Sequence, residues 1–424
     1  MKNSKKSSIQ SISPLRLACF LSILFGCALT ASVQALAQAP VPASPAIEAK
    51  AHAWLAKLTL EQKIELIGGV DDMYTHAAPA VDLPRFKMSD ASVGVRTWGP
   101  TTAYAGGVAL AATWDPALAR KVGESLGKDA RARSVNFLLG PGVNIARSPV
   151  AGRNFEYLSE DPYLNSILVV PFIEGVQSQG VIATVKHFAL NDQEYNRHNV
   201  SSDADERTMR EIYLPSFEAA VTKGHVDAVM DSYNLINGVH ATQNEFLNLK
   251  VLKGEWGFQG ILMSDWDATY DTVGAANNGL DLEMPSPRFM NPKGLLASVK
   301  DGSVTESTID DKVLRIFRTE IRYGFLDRPN STLPTPPTPW PLAPLSLRAP
   351  ARASPCSRTR GPCSRSTRPK SRPSPSSDPT PGRPSPAAEA PLRPRPSSRS
   401  QPSPASPTCS VPTCMSSTAA DCRR

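Results

Sequence analysis

Between Ala51 and about Phe325 the chain alternates short apolar runs with longer stretches in which apolar residues recur every three to four positions. The short runs Arg85–Met88, Phe137–Leu139, Ile182–Val185, Ala228–Met230, Ile261–Met263 and Leu280–Met284 have strand length. Most are apolar at consecutive positions, the pattern of strands covered on both faces. Between them the helical period predicts helices over Pro116–Ser134, Tyr163–Gln179, Glu206–Lys223, Asn244–Trp256 and Pro292–Asp301. Strands alternating with helices in this way predict βαβ units around a parallel sheet. About 290 residues of such alternation is the size of a TIM-type (β/α)8-like barrel, so the expected fold class is α/β of that type. A last helix from Thr305 to about Tyr323, with Gly324 as its C-cap, closes the unit.

The pattern fails at both ends. Residues 1–37 carry Lys2, Lys5, Lys6 and Arg16 and no acid, then an apolar run from Leu17 to about Val33, then Ala35-Leu36-Ala37. A charged start, an apolar centre and a small-x-small site read as a secretory signal peptide cut before Gln38. The run is short for a bilayer span and has no stop-transfer charges after it, so no stable membrane insertion is expected and the mature chain is expected in the periplasm or outside the cell. After Arg328, 24 of the 40 prolines fall in the last 96 residues, mixed with Ser, Arg and Thr. Such a composition buries too little apolar surface to offset its ordering entropy, so 329–424 reads as disordered. One reading makes it a Pro/Arg-rich interaction tail. The favoured reading is an out-of-frame translation: Pro362–Pro381 can be encoded by GC-rich codons whose shifted frame reads LLPLDPAKVKTVAVIGPDA, a domain entry followed by a buried strand. Sequencing the gene across codons 325–345 tests it.

Charge and cysteine follow the same division. The formal net charge of +7 comes from the ends: 329–424 hold 14 Lys and Arg against 3 Asp and Glu, whereas 38–328 hold 28 against 36, a net −8. An acidic folded part argues against nucleic acid as partner. Cys19, Cys27, Cys356, Cys363, Cys409, Cys414 and Cys422 all lie outside 38–328, so that region uses neither disulfides nor thiolate metal sites, and neither a metal nor a cofactor is expected.

The candidate chemistry sits at the ends of the expected strands, where α/β folds place it. In Gly257–Asp267, GFQGILMSDWD, the apolar Ile261–Met263 runs out into Ser264, Asp265 and Trp266. A carboxylate beside an indole suits a sugar: the indole stacks on the apolar face of a pyranose and the carboxylate addresses its anomeric carbon. Lys186 and His187 follow VIATV in KHFALNDQEYNRH, which also holds Arg197; Arg153 lies in GRNFEYLSEDPYL; Asp90 and Arg96 lie in SDASVGVR; Met230 and Tyr233 lie in MDSYN; Asp281 lies in GLDLEMP. Singly, each has a structural explanation, a solvated strand end or an ion pair such as Arg153 with Glu156 or Glu160. Jointly, charged and amide groups at six successive strand ends point to a polar ligand in one crevice.

These segments, in this order from about Trp54 to Leu326, resemble the amino-terminal barrel domain of glycoside hydrolase family 3, the β-glucosidase and β-xylosidase group. KHF, ERTMREIYLPSFE, VMDSYNLING, SDW and LDLEMP carry the likeness. The resemblance implies Asp265 as catalytic nucleophile, Trp266 as a wall of the −1 subsite, and Asp90, Arg96, Arg153, Lys186, His187, Arg197, Met230 and Tyr233 as the substrate-binding set. On that assignment Asp90 accepts from vicinal hydroxyls while Lys186, His187, Arg153 and Arg197 donate to the other edge, and their charges are expected to keep Asp265 ionised by lowering its pKa. Tyr233 is placed to hold the nucleophile's second oxygen. Many relatives carry Gly where this chain has Asp267.

In two-domain members the general acid is a glutamate of a second α/β sandwich domain, which would begin where the tail begins. The single-domain branch uses a His–Asp dyad on a Gly-His-Gly loop that FALNDQEYNRH lacks, so His198 reads as a loop or core histidine. The implied activity is exo-acting, retaining hydrolysis of terminal β-D-glucosyl residues from a small β-linked oligosaccharide or aryl glucoside, crippled here by loss of the acid. Alternatives are a non-catalytic carbohydrate-binding remnant, β-xylosidase specificity, or a protein that binds acidic partners through its tail. Oligomeric state is left open.

Overall fold

Five parallel strands, hydrogen-bonded in chain order, form the centre of the molecule: β1 (Met88–Asp90), β2 (Phe137–Leu139), β3 (Ile182–Phe188), β4 (Ala228–Asp231) and β5 (Ile261–Met263). Every residue in them is buried except Asp90, at the carboxyl end of β1. The computed structural model describes residues 44–99 and 101–325; the expected leader and the Pro/Ser/Arg tail lie outside the described residues. An α/β architecture on a parallel sheet is what the alternation of apolar runs predicts.

Helices cover the strands, and several begin at a polar cap followed by proline. The longest α-helices are α1 (Pro45–Leu55), α2 (Leu60–Leu66), α3 (Pro116–Ala132), α4 (Pro162–Gln177), α5 (Pro215–Thr222), α6 (Pro292–Lys300) and α7 (Glu306–Tyr323). Asp115, Asp161 and Asn291 each accept a backbone N–H two or three residues on, ahead of a proline whose missing N–H costs nothing at that position. Thr59 and Gln62 form a reciprocal capping box on α2. Gly324 ends α7 with φ 60°, the left-handed conformation expected of that cap. No helix among the described residues is long and apolar enough to cross a membrane.

Several boundaries differ from expectation. The ladder of β1 starts where the Lys87 carbonyl accepts from Asn136 and Phe137, so β1 lies beyond Arg85, which is exposed and ion-paired with Asp71. β3 continues through His187 and Phe188. The expected helix Glu206–Lys223 breaks before Pro215, which has no N–H to continue it, and its middle, Met209–Tyr213, is wound with i→i−5 bonds. Phe246–Glu255, expected as α-helix, is wound in the same wide manner.

Leu280–Met284 forms no continuous strand. Instead Leu282 bridges Met263 and Glu283 bridges Gly68, both parallel. Gly69–Val70 pairs antiparallel with Tyr74–Thr75, and Tyr74 bridges Lys87 beside β1. Two glycines admit β5 to its place. Gly257 turns with φ 64°, and a Cβ on Gly260 would lie 2.3 Å from the Asp227 carbonyl.

Candidate active site

The carboxyl ends of β1, β3, β4 and β5 bring Asp90, Lys186, His187, Met230 and Asp265 to one edge of the sheet. Register fixes their order, because Lys186 sits opposite Met230 and Met230 opposite Met263, two residues before Asp265. Asp265 is 7% exposed. Its Oδ1 accepts from the Trp266 backbone N–H at 2.8 Å, while Oδ2 is buried with no hydrogen-bond partner. Leaving a buried polar atom unmatched costs about 1–3 kcal/mol, and such sites are where a ligand is missing or chemistry is prepared.

His187 lies 3.5 Å from that oxygen through Nε2. The same nitrogen is 3.0 Å from the Arg153 guanidinium, and Nδ1 is 3.2 Å from the Tyr157 hydroxyl. A guanidinium only donates, so Nε2 accepts and Nδ1–H donates to Tyr157. With that tautomer Nε2 carries no hydrogen to offer Asp265 Oδ2. Burial, with Arg153, Lys186 and Arg197 nearby, pushes the His187 pKa well down and keeps it neutral. Asn144 clamps its backbone, its side chain accepting from the His187 N–H at 2.7 Å and donating to its carbonyl at 2.9 Å.

Cations crowd the carboxylates. Lys186, 3% exposed, donates to Asp90 Oδ1 at 3.2 Å, and Arg96 lies 3.7 Å from Oδ2. Burial alone would raise the Asp90 pKa, but Lys186, Arg96 and Arg153 outweigh it and hold the carboxyl below the usual range. Arg153 is ion-paired with Glu156, whose other oxygen accepts from Ser92 at 3.0 Å; of the two pairings the sequence offered, Glu156 rather than Glu160 is the one formed. Arg197 pairs with Glu194 and lies 3.8 Å over the Tyr233 ring. Tyr233, 6% exposed, stands beside Asp265.

Two expectations need correction. Asp265 is not held low: its burial is the largest influence and raises the pKa, and Lys186, Arg153, the Trp266 N–H and Tyr233 pull it only part of the way back. Asp281 does not face the crevice. It is 0% exposed, bound by Lys253 at 2.6 Å and by the Leu262 N–H at 2.9 Å. His198 rests edge-on to Tyr233 with ring centres 4.6 Å apart and is 2.7 Å from the Tyr270 hydroxyl. Asp267, at φ 59°, pairs with Arg288 at 3.0 Å across to the loop after Pro285.

Sequence reasoning passed over Asn144, Tyr157, Glu194 and Asp72. Asn144 had a signal, a lone amide in an apolar segment shortly after β2, and Glu194 stood inside the quoted KHFALNDQEYNRH. Asp72, which accepts from Trp266 Nε1 at 2.9 Å, had none, because its partner is 194 residues away. Among the described residues no group of three or more His, Cys, Asp or Glu is arranged to hold a metal ion.

Residues 63–319 match the family model described as the glycosyl hydrolase family 3 N-terminal domain. A beta-glucosidase of Rhizobium radiobacter is 44% identical over 280 residues, covering 65% of this chain and 34% of that one. A beta-glucosidase of Bacteroides ovatus is 40% identical over 332 residues, covering 72% and 44%. Among solved structures, beta-glucosidase 3B of Thermotoga neapolitana in complex with glucose superposes with a TM-score of 0.68 at 37% identity, over 72% of this chain and 47% of that one. The chain thus spans a third to just under half the length of these relatives.

Proposed function

The chain belongs to glycosyl hydrolase family 3, whose N-terminal domain occupies residues 63–319, and from that premise we propose that it carries the nucleophile and sugar pocket of an exo-acting, retaining β-glucosidase. One observation carries the reading: Asp265 is buried at a strand end with one oxygen unmatched, among Lys186, Arg153, Tyr233 and Trp266, with Arg197 over the Tyr233 ring. The relatives' names and the glucose in the Thermotoga neapolitana structure support glucose as the sugar.

In this reading Asp265 Oδ2 attacks the anomeric carbon while the glycosidic bond breaks and the departing oxygen takes a proton. The glycosyl–aspartyl ester is then hydrolysed by water with retention. Asp90, held ionised, accepts from vicinal hydroxyls at the far edge of the sugar, and Lys186, Arg153, Arg96 and Arg197 donate. Met230 and Trp266 supply apolar walls. His187 acts differently from expectation: its Nε2 accepts from Arg153 and fixes that guanidinium beside the nucleophile.

We assign no proton donor within the crevice: among the described residues there, Asp90, Glu156 and Glu194 are each already ion-paired, and Asp72 is bound to Trp266 Nε1. General acid help is worth ~10²–10⁴-fold, most for poor leaving groups. The chain is therefore expected to release dinitrophenol from an activated aryl β-glucoside and to leave cellobiose almost untouched. Covalent capture of Asp265 by a 2-fluoro-glucoside, read by mass spectrometry, tests the nucleophile; a chain that binds the reagent without an adduct is a sugar-binding remnant.

The finer fold belongs to the same reading. Pairing passes from β5 through Leu282, Glu283 and Gly68 to the hairpin Gly69–Thr75 and back to Lys87. A ring of this kind supports a closed barrel with one antiparallel member and the pocket at its mouth. The charged, apolar and small-residue order of residues 1–37 supports export of the mature chain.

A further inference from the structure

The hairpin Gly69–Thr75 lies far from the crevice in sequence, yet it reaches the nucleophile's neighbour. Val70 pairs with Tyr74, leaving Asp71, Asp72 and Met73 as a three-residue turn. Asp71 and Asp72 stand at φ 49° and 66°, the left-handed region that L-residues enter at a cost of roughly 1–2 kcal/mol each. The turn is held there from both sides. The Gly69 N–H donates to Glu283 at 2.8 Å, the Met88 N–H donates to Met73 at 2.8 Å, and Arg85 ion-pairs with Asp71 while covering the Tyr74 ring at 4.3 Å.

Asp72 departs from this local pattern. Its carboxylate accepts from Trp266 Nε1 at 2.9 Å, so the indole spends its one polar hydrogen on the hairpin. The backbone N–H of the same tryptophan holds Asp265 Oδ1 at 2.8 Å. One residue is thus tied at two points, main chain to nucleophile and ring to hairpin.

We propose that Asp72 is a positioning residue for the sugar site: it sets the plane of the Trp266 indole, and the pinned hairpin is the buttress that keeps it set. The inference rests on the reading of Trp266 as a wall of the sugar pocket. An indole fixed before the sugar arrives loses no rotamer freedom on binding, so the gain appears as affinity for the sugar ring.

The test uses the full chain with Asp72→Ala and Asp72→Asn, the second of which keeps an acceptor oxygen. With dinitrophenyl 2-deoxy-2-fluoro-β-glucoside as probe, D72A is expected to raise the half-saturating concentration about tenfold, the loss of one hydrogen bond to a charged group, with the limiting labelling rate changed far less. D72N is expected to restore most of the affinity. A merely structural role would lower the folded fraction without moving the half-saturating concentration of what remains folded. The near-ultraviolet circular dichroism of Trp266, taken as the difference from W266F, is read in parallel and needs no activity: D72A is expected to flatten it and D72N to retain it. Unchanged half-saturation and an unchanged Trp266 signal in D72A overturn the inference. A wild-type chain that forms no adduct removes the proposed function, and the tryptophan signal then decides Asp72 alone.

Discussion

Strand β5 has two buried aspartates against it, and the surroundings of each make different things of the same side chain. Asp281 lies alongside the middle of the strand, where Lys253 and the Leu262 N–H meet its two oxygens. Asp265 lies just past the end of the strand, where one oxygen has the Trp266 N–H and the other has no hydrogen-bond partner. A carboxylate matched at both oxygens is part of the scaffold. One that is buried, half matched and ringed by cations is destabilised until something binds, which is the condition of a nucleophile.

The comparison breaks most sharply if Asp265 is dispensable. Asp265→Ala is expected to abolish the fluoroglucoside adduct and to lower dinitrophenyl glucoside turnover by on the order of 10⁴-fold or more, as removal of a nucleophile does. Turnover that survives the change would reduce Asp265 to a buried acid of no special consequence. The same variant is expected to lose little stability, because it gives up the Oδ1 bond from the Trp266 N–H but also relieves the desolvation of a buried carboxylate.

Asp281→Ala is expected to do the reverse. It leaves Lys253 buried without its counter-ion, and breaking a buried pair from one side costs about 3–5 kcal/mol, read as a lower urea midpoint. Replacing the pair together, Lys253→Met with Asp281→Leu, is expected to recover much of that loss, since the pair's attraction was offset by its desolvation. A single variant as stable as the parent would show that the Lys253 charge is met by other groups.

This contrast also marks what was legible in the sequence. The apolar runs Phe137–Leu139, Ala228–Met230 and Ile261–Met263 appear as strands because residues covered on both faces leave an unbroken apolar signature. The polar groups that follow them stand out for the same reason. Asp281 and Asp265 are both acids beside apolar runs, told apart in the sequence only by the indole that follows Asp265; the fold brings Lys253 to one and leaves an oxygen of the other without a partner. The i→i−5 winding of Phe246–Glu255 carries no periodic mark, and the Asp72 bond to Trp266 depends on a hairpin made of two-residue strands.

Acidity sharpens the comparison next. The Asp265 pKa is raised by burial, and its carboxylate is the attacking form, so the labelling rate is expected to fall about tenfold per pH unit below a pKa higher than that of an ordinary aspartate. For stability the sign is opposite to that of a salt-bridged acid. A raised folded pKa adds stability that is full below the unfolded value and is lost as pH rises through the folded one. Asp265→Asn is therefore expected to exceed the parent in Tm at neutral pH, with the difference shrinking in acid. Asp90, held below the usual range by Lys186, Arg96 and Arg153 against its burial, contributes stability above the unfolded pKa that is lost as pH falls through the folded one.

The smallest effect is expected at Asp267, one residue past Trp266. Its φ of 59° is a position where glycine sits without strain, and an aspartate there bears roughly 1–2 kcal/mol. Against that it gains the pair with Arg288, both side chains at least half exposed, worth about 0–1 kcal/mol. Asp267→Gly removes the strain and the pair together and also frees the unfolded chain, so the terms largely cancel and stability is expected to stay within about 1 kcal/mol. A loss well beyond that, measured by urea unfolding, would mean that the Arg288 bridge holds the loop after Pro285 in place. The contrast along β5 would then extend to a third aspartate, stabilising like Asp281 and yet at the mouth beside Asp265.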